Sequence, residues 1–86
     1  MSDPKNDSAD LSTIPVRVLI VDDDDLLRDG LKEQLSLYEE FEVVEAPTAT
    51  RGVQAARQER IDLLIMDVGL PDMDGLALLK ALRDLP

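Results

Sequence analysis

Two short apolar runs in this sequence each end in aspartate. Val16 to Val21 reads V-R-V-L-I-V and stops at Asp22-Asp23-Asp24-Asp25, while Ile61 to Met66 reads I-D-L-L-I-M and stops at Asp67. A nearly continuous run of this length, rich in β-branched residues, suits a strand covered on both faces. Between the two runs, Leu27, Leu31 and Leu35 fall at four-residue spacing with Arg28, Asp29, Lys32 and Glu33 on other faces. This predicts an amphipathic helix ending near Tyr38, locally weakened by Gly30. Phe41 to Glu45 is a second strand, and Thr48 caps a small-faced helix carrying Ala49, Gly52, Val53 and Ala56. After Asp67 a turn-prone stretch, Gly69 to Gly75, leads into a last helix from about Asp74 to Leu85. The order βαβαβα indicates an α/β fold, with a parallel sheet, right-handed crossovers and helices on both faces.

Parallel strands point the same way, so Asp22, Asp23 and Asp67 lie along one edge of the sheet, with neighbouring strands about 4.8 Å apart. In an open α/β sheet, ligands bind beyond the carboxyl ends of the strands where the strand order reverses. That fits the first and third strands as neighbours with the second outside. Three close carboxylates repel one another, and a hard divalent cation removes the conflict. Magnesium takes one or two carboxylates together with phosphate oxygens and water. The combination describes phosphoryl transfer to a carboxylate, although the spacing alone does not say which Asp attacks.

Composition narrows the alternatives. The chain has 86 residues, nine Lys and Arg against nineteen Asp and Glu, a net charge of -10, and no Cys, His or Trp. Disulfides, thiolate zinc sites and imidazole-based triads are excluded. The acidic balance argues against binding nucleic acid or an anionic membrane. Residues 1–13 are polar and read as a disordered acidic tail ahead of one small domain at 14–86. Neither a secretory signal nor a run of about 20 apolar residues occurs, and the expected location is the cytoplasm. Counting from Asp67, the calcium-loop positions for Gly and Glu hold Asp72 and Leu78, and no Gly-rich phosphate loop is present. Asp24 and Asp25 read as cap and surface residues, and Asp72 and Asp74 as helix caps.

The runs V-L-I-V-D-D-D at Val18 to Asp24 and L-L-I-M-D-V-G-L-P-D-M-D-G at Leu63 to Gly75 closely resemble the receiver domain of bacterial two-component response regulators. The resemblance spans about Val16 to Pro86. It implies a flavodoxin-like receiver fold and a phosphoacceptor rather than an enzyme. Asp67 would take a phosphoryl group from the phosphohistidine of a sensor histidine kinase or phosphotransfer protein. Asp22 and Asp23 would hold Mg²⁺ with Asp67, and the backbone carbonyl of Gly69 would complete the metal site. The family's domain has five strands and five helices, with a hydroxyl residue and a lysine in the later part touching the phosphoryl group. Lys5, Lys32 and Lys80 are the lysines of this sequence, and none matches that position. The expectation is therefore a receiver truncated to (βα)3 in strand order 2-1-3, impaired in self-phosphorylation. Its third strand would be an unprotected edge, and its Leu-rich last helix would be partly open. A homodimer through the third strand and third helix is expected, or else a half-receiver binding module that does not switch.

Overall fold

The computed structural model describes residues 14–67 and 69–84; the tail expected over 1–13, Val68 and the last two residues lie outside them. Three strands, β1 (Val16–Val21), β2 (Phe41–Ala46) and β3 (Leu63–Met66), alternate with three helices, α1 (Asp25–Leu35), α2 (Ala49–Gln58) and α3 (Gly75–Arg83). The sheet is parallel in the order β2-β1-β3, as the sequence predicts.

Being central, β1 has both edges paired, and Val18 to Val21 are completely buried. Alternation along the strand divides these side chains between the two faces of the sheet. Leu19 and Val21 join Ala46, Ala49, Val53, Leu70 and Leu78 in one core, so α2 and α3 cover that face. Ile20 lies on the opposite face, towards Leu27 and Leu31 of α1. Contact on the α2 side is close enough that a Cβ at Gly52 would lie 2.8 Å from Val21 Cγ2. The small face read in the sequence is what lets α2 sit against β1.

The helix starts follow the capping rules. Asp24, Thr48 and Asp74 cap α1, α2 and α3, their side chains accepting from the amides of Leu27, Arg51 and Ala77. Asp72 also serves α2, but from the β3–α3 loop: its carboxylate accepts from the amides of Ala49 and Thr50 and from Thr50 Oγ1 at 2.8–3.0 Å. The Thr50 and Ala49 amides hold the Asp72 carboxyl below the ordinary Asp range. A loop and a helix distant in sequence are thus joined just beyond the carboxyl ends of the strands.

Three expectations need adjustment. Helix α1 stops at Leu35 rather than near Tyr38. The amides of Leu37 and Tyr38 turn back three residues, to Gln34 and Leu35, tightening the chain ahead of β2. Strand β3 starts at Leu63 rather than Ile61, because the Arg17 amide is taken by the side chain of Asp62. The buried face of α1 is shifted from the expected stripe: Leu31 and Leu35 are half-buried as expected, but Leu27 is 52% exposed and Arg28, 9% exposed, takes its place beside them. Among the described residues, no helix is long and apolar enough to cross a membrane.

Candidate functional site

Register places the acidic residues. Val21 is paired with Met66, so Asp22 and Asp67 are each the first residue past their strand, on adjacent strands running the same way. The Asp22 amide bonds to Ala46 O at 3.2 Å and the Asp67 amide to Val21 O at 3.0 Å, which carries the sheet geometry one step beyond the ladder. One carboxylate oxygen from each of Asp22, Asp23 and Asp67 lies within 4.8 Å of the other two. Asp22 is buried, Asp67 half-buried and Asp23 exposed, so the cluster opens to solvent on one side. It borders a cleft of about 500 Å³ whose apolar wall includes Ile20, Leu27, Leu31 and Ile65.

These oxygens suit a small hard cation. Two ligands of an octahedral magnesium ion at about 2.1 Å are roughly 3 Å apart when adjacent and about 4.2 Å apart when opposite. Oxygens within 4.8 Å of one another are close to that spread. Two of the carboxylates are already oriented by backbone donors: Asp22 Oδ1 accepts from the Asp24 amide at 2.9 Å, and Asp67 Oδ1 accepts from the Gly69 amide at 2.9 Å. Each keeps its second oxygen for another partner. At Gly69 the bond on view therefore comes from the amide, in addition to any use of the carbonyl. A Cβ at this position would make only ordinary contact, 3.5 Å from Asp67 Oδ1, so space does not require glycine there.

Behind the acidic pair lies a second charged group that the sequence reading left on an outer helix face. Arg28 Nη1 donates to Asp22 O at 2.6 Å, Nη2 to Asp25 Oδ1 at 2.7 Å, and Nε to Glu45 Oε1 at 3.1 Å. Lys32 Nζ reaches the other Glu45 oxygen at 3.3 Å. Burial pushes the Glu45 carboxyl up, but the Lys32 and Arg28 donors outweigh it and hold it below its ordinary value. A signal for this group was present in the sequence. Glu45 is an acid inside an apolar strand, and such a residue requires a cation from a neighbouring helix. Asp25, expected on the surface, is exposed but paired.

Sequence and fold comparisons agree on the family. A family model, the response regulator receiver domain, matches residues 18–86. The chain belongs to that family. The nitrate/nitrite response regulator protein homolog of Haemophilus influenzae is 38% identical over 69 residues, covering 79% of this chain and 33% of the relative. Among solved structures, the CheY-like receiver domain of Methanospirillum hungatei has a TM-score of 0.74 at 41% identity, over 80% of this chain and 55% of that one. The CheY-like receiver domain of Methylobacillus flagellatus has a TM-score of 0.77 at 33% identity, over 84% and 60%. This receiver chain thus spans about a third of the length of the curated relative and little more than half of the solved receiver domains.

Proposed function

We propose that this receiver chain is the phosphoacceptor module of a two-component signalling system, with Asp67 as the acceptor and Mg²⁺ held by Asp22, Asp23, Asp67 and the carbonyl of Gly69. The observation that carries the reading is the convergence of three carboxylates past two neighbouring strands in a receiver-family chain. An Asp67 oxygen forms the new P–O bond as the P–N bond to a histidine of a sensor kinase or phosphotransfer protein breaks. The imidazole keeps the bonding electrons and takes up a proton. Asp67 suits this role because the Gly69 amide fixes one oxygen and leaves the other for attack. When bound, magnesium neutralises charge on the transferring group. Asp22 and Asp23 then act as ligands, and the chain is a substrate of its kinase rather than an enzyme. The reading carries a cytoplasmic location, since relatives are named as transcriptional regulators. It includes no nucleic-acid contact by this chain, whose net charge is -10.

Incubation with a small phosphodonor and Mg²⁺, followed by intact mass, tests the chemistry. One phosphoryl group should appear, and Asp67→Asn or chelation should abolish it. Incorporation that survives Asp67→Asn would defeat the assignment.

A second reading, that the 86-residue polypeptide associates with itself, is favoured by β3. Among the described residues this strand pairs with β1 alone, and Leu63 and Leu79, which line one groove there, are each about half exposed. An unpaired edge flanked by apolar side chains invites a second copy. Light scattering over a concentration series should show a dimer that Leu63→Lys weakens. A folded monomer at high micromolar concentration would sink this reading.

A further inference from the structure

We propose that Arg28 is the positioning residue of the acidic site, holding the β1–α1 turn in the shape that lets Asp22 and Asp23 act together. A guanidinium this buried is costly unless its donors are used, and here all three nitrogens are used. Each reaches a different element: Nε the Glu45 carboxylate on β2, Nη1 the Asp22 carbonyl just past β1, and Nη2 the Asp25 carboxylate at the start of α1. The Asp22 carbonyl lies beyond the paired part of β1, and Arg28 supplies its donor. One step further on, the Asp24 amide holds Asp22 Oδ1, and Asp24 caps α1.

The guanidinium therefore fixes both ends of the turn from which Asp22 and Asp23 project. Lysine does not replace it, because a single ammonium nitrogen lacks the planar fork that spans three acceptors. Arg28 touches neither the acceptor oxygen nor the transferring group in this assignment, and its effect passes through Asp22.

The metal half of this inference rests on the proposed magnesium reading, so the test has two readouts. In Arg28→Lys, Mn²⁺ titration followed by broadening of the folded-state amide signals should show about tenfold weaker affinity, the scale on which outer partners of metal ligands act. Without metal, hydrogen exchange at the Asp24 amide should quicken by about tenfold as the turn opens locally, while Leu19 and Ile20 keep their wild-type rates. Glu45→Gln, which keeps the shape and removes the charge partner, should move both readouts in the same direction and serves if the lysine variant does not fold. If the wild type shows no Mn²⁺ response, the magnesium reading fails and Arg28 is judged by Asp24 exchange alone. Unchanged Asp24 exchange, or equal acceleration at Asp24, Leu19 and Ile20, would reduce Arg28 to an ordinary stabilising residue and overturn the proposal.

Discussion

Leu19→Ala should remove half or more of the chain's stability. Leu19 is wholly buried in the middle strand, with a strand bonded on each side and α2 and α3 packed over its face. Truncating a buried leucine costs about 2–5 kcal/mol, because the lost transfer energy is joined by the energy of a cavity that cannot collapse. Domains of this size are stable by roughly 0.05–0.15 kcal/mol per residue, or about 4–10 kcal/mol over the described part. Here the available total sits at the low end, because a small domain buries only about 60% of its unfolded surface. Urea unfolding followed by circular dichroism is the measurement. Val16→Ala, at the exposed start of the same strand, should change stability by less than about 0.5 kcal/mol. Equal losses from the two variants would mean that β1 is not the centre of the core.

That the run holding Leu19 is a strand covered on both faces was readable in the sequence, and the reason is local. An apolar strand in a parallel sheet advertises itself by length and β-branching, and an aspartate immediately after it marks the edge where ligands collect. The convergence of Asp22, Asp23 and Asp67 followed from topology alone. Arg28 could not be placed in the same way. Periodicity placed Leu31 and Leu35 on the inner face of α1, where they are half-buried, but hydropathy cannot show that the same face turns a cation inward because Glu45 and the Asp22 carbonyl need donors there. Leu27 and Leu31 wall the cleft beside the acidic site. Asp72 was readable as a cap, but the helix it serves beyond its own loop depends on how α2 and the β3–α3 loop meet in space. Gly52 is a similar case, since a glycine within a helix reads as a weakness until a strand is found against it.

The acidic site should reverse the sign of one substitution according to the metal present. Among the described residues, the Asp23 side chain makes no hydrogen bond or ion pair, whereas Asp22 and Asp67 each hold a backbone amide. Asp23 thus contributes charge to the cluster without supporting the turn. At separations near 4.8 Å, two unit charges in water repel by about 1 kcal/mol, and exposure of Asp23 keeps the value on that scale. Asp23→Asn should therefore stabilise the metal-free chain by about 0.5–1 kcal/mol at low ionic strength, a gain that fades as salt screens the repulsion. With saturating Mg²⁺ the order should invert. A cation at about 100 times its dissociation constant stabilises the wild type by about 2.7 kcal/mol, and a variant lacking one ligand should forfeit most of that. Paired urea titrations of both chains, with chelator and with Mg²⁺ at matched ionic strength, would read the two signs directly. Equal shifts with and without Mg²⁺ would show that Asp23 is an ordinary surface charge and that the three carboxylates do not share a cation.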